Sequence, residues 1–128
     1  MNNVENLHRD NALSTIRIEE DQQSGIHWCR MHAQQAFSDP EYRTCFSPKM
    51  LRELRLFAQL TIDGINRSVA EAKDHLAHIV IASDAHVFNL GGDLQLFTDL
   101  IRRRDEDGLL HYAHKCVDSI HLLHTRLH

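Results

Sequence analysis

Asn89, Leu90, Gly91, Gly92 and Asp93 stand between an apolar run at residues 79–82 and a repeat of Leu94, Phe97, Leu100 and Ile101. Spacing of three to four positions in the second segment predicts a helix that opens directly behind the two glycines. The first turn of a helix leaves N–H groups without intrahelical partners, and glycine lets another molecule approach without meeting a Cβ. Such donors suit an oxygen that becomes negative during a reaction, which makes Asn89, Gly91 and Gly92 candidates for oxyanion-hole amides. The same residues equally suit a plain tight turn, with Asp93 as loop anchor or helix cap. As a general base Asp93 is poorly placed, because a helix N-terminus favours its anion and lowers its basicity.

Three other groupings invite chemistry. His114, Asp118 and His121 share one face of a predicted helix, within ligand reach of one another. His111 and His124 extend that polar side and no HExxH pattern sharpens it, so no metal site is expected. Ser83, Asp84 and His86 contain triad residue types, but neighbours in one tight loop seldom satisfy triad geometry and the GxSxG elbow is missing. Cys29, Cys45 and Cys116 are odd in number and far apart, which fits reduced packing residues rather than a disulfide framework, a zinc site or a catalytic dyad.

The elements that must position these groups are legible from periodicity. Residues 14–19 and 26–32 alternate apolar and polar side chains around Gly25 and predict a hairpin. Residues 33–40 suit a short helical turn ended by Asp39-Pro40, whereas residues 42–46 fit either a loop or a short strand. Ser47-Pro48 looks like an N-cap and first helical residue, and Leu51, Leu54, Phe57 and Leu60 carry a long helix to about Asp74, weakened at Gly64. Residues 77–83 read as a strand buried on both faces, followed by the glycine turn and a helix over 93–103. A last helix over 106–128 carries Leu109, Ala113, Cys116, Ile120, Leu123 and Leu127 as its apolar stripe. The arginines at 102–104 and acids at 105–107 match the dipoles of the two helix ends they join; the arginines also offer a patch for an anionic carrier. Residues 1–13 are polar and aperiodic, as a loose arm would be.

With 128 residues, one α/β domain with short strands and long helices is expected. A net charge of -4 without a basic stripe argues against nucleic-acid binding. No apolar stretch approaches the roughly 18 residues of a membrane helix, and the opening residues hold no signal core, which predicts a cytoplasmic protein without membrane insertion. A buried parallel strand needs neighbours on both sides, and few strands are available. The expectation is therefore an incomplete sheet, with residues 1–128 forming the front part of a larger domain or a half that needs a partner.

The string Phe88-Asn89-Leu90-Gly91-Gly92-Asp93-Leu94-Gln95-Leu96-Phe97, with the later Tyr112-Ala113-His114-Lys115-Cys116-Val117-Asp118, resembles the crotonase (enoyl-CoA hydratase/isomerase) superfamily. It looks most like the branch that makes diffusible signal factor, the cis-2-unsaturated fatty acids of bacterial quorum sensing. Ser14-Thr15-Ile16-Arg17-Ile18, residues 26–32 and Cys45-Phe46-Ser47 resemble the same branch. The resemblance implies a front part of a crotonase-like β-β-α fold that assembles as an oligomer. It places the first oxyanion amide within residues 89–92, with Asn89 and Gly91 favoured equally, and sets Leu90 and Leu94 against the substrate.

The family's second amide and two catalytic glutamates would lie further along the fold than these residues. The implied parent activity is dehydration and thioester hydrolysis of a 3-hydroxyacyl group on acyl carrier protein or CoA, a lyase and thioesterase function of fatty acid metabolism with no cofactor. The isolated chain is then expected to bind an acyl thioester weakly and to turn over nothing. A noncatalytic interaction module, pairing with an intact synthase or a sensor through the last helix, is the competing expectation.

Overall fold

The alternation of residues 14–32 produces two strands, β1 (Ile16–Asp21) and β2 (Ile26–Met31), in the computed structural model, which describes residues 13–21, 23–70 and 77–126. They pair antiparallel with Ile16 opposite Met31 and Ile18 opposite Cys29, which gathers the apolar side chains on one face. Gly25 closes the hairpin at φ 70°, a conformation that favours glycine, and its N–H donates to the Asp21 carbonyl at 2.9 Å. On the polar face, the Arg30 guanidinium lies 4.6 Å from the centre of the Trp28 ring.

His32, at φ 56°, turns the chain out of β2 into a 3-10 turn at Gln34–Ser38. The Ser47 hydroxyl then accepts from the Met50 N–H at 3.2 Å and starts α1 (Pro48–Ala70), which passes through Gly64 as one continuous helix. The expected helix end at Asp74 falls outside the described residues. α1 packs on β1 and β2 and serves as the crossover that parallel strands require, delivering β3 (His78–Ser83) alongside β2. The sheet order is β1-β2-β3, with Trp28 opposite Val80 and Met31 opposite Ser83. Two further helices follow, α2 (Leu94–Arg102) and α3 (Glu106–Arg126), and α3 packs against both α1 and α2. Among the described residues, no helix is long and apolar enough to cross a membrane.

The core is built where α1 meets the hairpin. Ile16, Met31, Met50 and Phe57 are fully buried there, each burial contributing about 1.5–3 kcal/mol. Beside them Glu53 is buried on α1 and accepts from the Ser14 N–H at 2.7 Å, the Thr15 N–H at 3.3 Å and the Thr15 hydroxyl at 2.6 Å. Charge-assisted hydrogen bonds of this kind compensate a carboxylate for lost water, and these tie the start of β1 to α1.

Three expectations are corrected. β3 is not buried on both faces: His78 is exposed and residues 79–83 are half-buried, because β3 lies at the sheet edge with β2 as its described neighbour. Leu13 does not belong to a loose arm. It is 8% exposed in the main apolar cluster, held there by the Glu53 contacts to Ser14 and Thr15; residues 1–12 lie outside the description. The expected stripe of α3 is half-buried at Leu109, Ala113, Cys116 and Leu123, but Ile120 is 64% exposed and the buried residue of the helix is Tyr112, whose hydroxyl meets the glycine turn. Leu127 lies outside the described residues.

A methyl group at Gly64 would meet no atom within 4 Å. Gly64→Ala is therefore expected to raise stability by about 0.5–1 kcal/mol, read as a higher urea midpoint at unchanged m-value.

Candidate functional site

The loop after β3 is fixed by its own polar side chains. Ser83 Oγ donates to the Val87 carbonyl at 2.6 Å and accepts from the Ala85 N–H at 3.0 Å, while Asp84 receives a two-point contact from Arg17 at 3.0 and 3.1 Å. Ser83 and Asp84 thus serve loop structure, and among the described residues no hydrogen bond joins either of them to the exposed His86, so the three are not arranged as a nucleophile, base and orienter.

Residues 89–93 are held from three sides. Along one edge, the Leu90 N–H donates to the Thr44 carbonyl at 2.8 Å and the Phe46 N–H to the Gly91 carbonyl at 2.7 Å. The segment that fits either a loop or a strand is thus an irregular stretch with one parallel bridge, Phe46 to Gly92. On the sheet side, Asn89 Oδ1 accepts from the Gly91 N–H at 2.7 Å, so its Nδ2 faces His32 Nε2 at 3.2 Å. His32 Nε2 must then accept, which leaves Nδ1 carrying the proton toward the Tyr42 hydroxyl at 2.6 Å. Gly91 itself sits at φ 93°, which excuses it from the steric cost that other residues meet there.

The helix side is anchored by Asp93. Its carboxylate caps α2 by accepting from the Leu96 N–H at 3.2 Å, and both of its oxygens lie 2.8 Å from Arg43 Nη2. Its N–H donates to the Tyr112 hydroxyl at 2.8 Å, and that hydroxyl donates in turn to the Phe46 carbonyl. Phe97 packs edge-on to Tyr112 with ring centres 5.1 Å apart, and a Cβ on Gly92 would come within 2.9 Å of the Phe97 ring. A side chain at position 92 would therefore force the Phe97 ring to move.

This geometry separates the candidate amides. The Gly91 N–H is taken up by Asn89, whereas the N–H groups of Asn89 and Gly92 meet no hydrogen-bond acceptor among the described residues. Leu90 and Leu94, expected against the substrate, are 70% and 77% exposed and flank the turn in sequence together with exposed Phe88. The arrangement can offer a backbone donor and apolar surface to a carbonyl-bearing chain; the Asp93 carboxylate is engaged by Arg43 and its own helix.

Burial lowers the pKa of His32 and raises that of Tyr112, while Tyr42 is pushed up to about 12 by the same cause. Burial and the Glu53 charge push the Cys29 thiol up to about 12, and burial and Asp93 raise Cys45, which disfavours either as a nucleophile at neutral pH. His114, Asp118 and His121 are exposed on α3, and among the described residues no group of three His, Cys, Asp or Glu side chains is placed to hold a metal ion.

Arg43, His32 and the Tyr112 hydroxyl were not singled out by spacing, since each acts on the turn across a long sequence separation, and Tyr42 enters only through His32. Together, fold and turn define an α/β protein with three strands among the described residues and a braced amide turn at a helix N-terminus. No protein-family model matches the sequence, and no curated protein matches it.

Two tests follow from the bracing. Tyr112→Phe strips the partner from the Asp93 N–H and the Phe46 carbonyl, and is expected to cost about 2 kcal/mol in urea unfolding and to speed amide exchange at Asp93. Because the folded state holds His32 below the ordinary 6.5, the unfolded chain binds more protons in that window and stability falls as pH drops below 6.5, levelling under the folded pKa. His32→Asn, which tolerates positive φ, should show a shallower loss over the same range by denaturant titration.

Proposed function

We propose that this chain binds an acyl thioester through the turn at residues 89–93, as the front part of a crotonase-like fold in the branch that makes cis-2-unsaturated fatty acid signals. The carrying observation is the Gly92 N–H: it belongs to a turn fixed by Asn89, Phe46 and Tyr112, yet has no acceptor among the described residues. A preorganised donor costs no rearrangement when a carbonyl oxygen gains charge, which is the condition an oxyanion hole must meet. The hairpin, the helical crossover to a parallel strand and the helix opening behind Gly92 support the same reading.

In this reading the thioester carbonyl lies on the Gly92 amide, with Leu90 and Leu94 beside the acyl group. The parent reaction removes water from a 3-hydroxyacyl carrier protein and then cleaves the thioester. These residues contribute carbonyl polarisation to it, and a glutamate pair outside them would move the protons. Acyl carrier protein or CoA is the carrier, a homo-oligomer or a further portion of the fold completes the pocket, and the cytoplasm is the compartment.

A second reading, a noncatalytic interaction module, draws on the apolar residues left at the surface. Leu94 and Ile101 recur seven apart on α2, as do Leu110 and Val117 on α3, and all four are exposed.

Amide NMR with a 3-hydroxydodecanoyl pantetheine thioester separates the two. The expected result is a downfield shift of the Gly92 N–H that the matching thioether, which lacks the carbonyl, does not reproduce. Equal responses to both compounds, or none at millimolar concentration, would remove the acyl-thioester reading and favour the interaction module.

A further inference from the structure

On the helical side of the molecule, α1, α2 and α3 enclose a groove of about 400 Å³, within the size range of small-molecule sites. Its floor is Leu51, Leu96 and Leu100, and its walls carry Arg52, Arg55, His111 and Lys115. The two arginines are three apart on α1, while His111 and Lys115 are four apart on α3, so each pair occupies one helix face. Among the described residues, no carboxylate lines the groove. Among the described residues, none of Arg52, Arg55 or Lys115 forms an ion pair, although the chain carries a net charge of -4. Like charges gathered without acids repel one another, and a bound anion would relieve that cost.

A second space adjoins the groove. Leu51 and Ser119 line both it and a slot of about 90 Å³ bounded by Met31, Phe46, Ile81, Cys116 and Leu123. Among the described residues, Ser119 is the one polar residue of the slot, and its hydroxyl donates back to the Lys115 carbonyl at 2.9 Å. The slot is thus small and almost wholly apolar, with exposed Phe88 and Ile120 also in its lining, which suits a hydrocarbon chain.

We infer that groove and slot form one binding site for a single-chain anionic amphiphile, with a carboxylate or phosphate head among Arg52, Arg55 and Lys115 and its chain passing Leu51 and Ser119 into the slot. The arginines supply charge-assisted bonds to the head, and the slot supplies the apolar burial that discriminates against short anions. The site uses no donor of the glycine turn, so it stands or falls separately from the thioester reading.

Calorimetry on the full chain tests it, with decanoate and decyl phosphate as probes below their micelle concentrations and butyrate and 1-decanol as controls. Decanoate or decyl phosphate is expected to bind at least tenfold more tightly than either control, and the tighter of the two identifies the head group. Arg52→Glu combined with Arg55→Glu, both at exposed positions, should weaken binding by about tenfold or more. Ser119→Phe should weaken it by closing the passage, with circular dichroism showing that the helices remain. Absence of binding by both probes, equal binding of 1-decanol, or binding unchanged in the arginine double variant would overturn the inference. A chain that binds decanoate at the arginines while Gly92 ignores the thioester would retain this site and lose the other reading.

Discussion

A single hydroxyl joins the three parts of the chain that make the turn. Tyr112 stands on α3, receives the Asp93 N–H at the start of α2 and donates to the Phe46 carbonyl just before α1. Each of those backbone groups lies where regular structure leaves it without a partner, one at a helix N-terminus and one at an isolated bridge. A buried amide and a buried carbonyl left unpaired would each cost about 1–3 kcal/mol, so the hydroxyl keeps α3 seated as well as the turn closed. The packing of Phe97 against the same ring then favours glycine at position 92, where a Cβ would press on that ring at 2.9 Å. One long-range polar contact therefore determines both where α3 sits and which residue best suits the turn.

The sheet side of the turn is determined by a different logic. His32 is fully buried, so its ring nitrogens must both be used, and Asn89 and Tyr42 use them. Because Asn89 Oδ1 is committed to the Gly91 N–H, the amide orientation and the histidine tautomer follow from one another. Protonating His32 would set an N–H against the Asn89 NH2 group, a conflict that the Phe88 backbone hydrogen bond to the ring offsets in part, which connects the charge of a buried ring to the shape of the glycine turn. The low pKa that burial imposes keeps that conflict out of the neutral range.

Short-period signals were the readable part of the sequence. The alternation of Ile16 and Ile18, the Ser47-Pro48 helix start and the glycine turn before Leu94 each report a local backbone preference, and each element formed where expected. Burial was less readable, because it depends on neighbours. The run at 79–82 has the composition of a strand covered on both faces, yet its edge position leaves it half-buried. Leu13 sits among polar residues and is drawn into the core by Glu53, thirty-eight positions and more from its contacts at Ser14 and Thr15. At the turn, the sequence placed the amide within residues 89–92 and favoured Asn89 and Gly91 equally, whereas the Gly91 N–H proves to be engaged. What distinguishes them is the direction of the Asn89 side chain, and that direction is set by His32, fifty-seven positions away.

The same tyrosine gives the two proposed binding regions a shared wall. Tyr112 lines the basic groove between the helices, while its hydroxyl holds the turn that carries Gly92. Phe88, two residues before the turn's Leu90, likewise borders the apolar slot. A ligand that fills the groove without moving Tyr112 would stiffen the clamp on Asp93, and one that displaced the ring would release it. Either effect is a free-energy coupling between the groove and the turn, and a coupling of that kind acts equally in both directions. An occupant of the turn that tightened the clamp would therefore raise affinity in the groove by the same factor. The physical requirement for such reciprocity is a rigid element in contact with both regions, and the first turns of α3, pinned through Tyr112 to both Asp93 and Phe46, meet it.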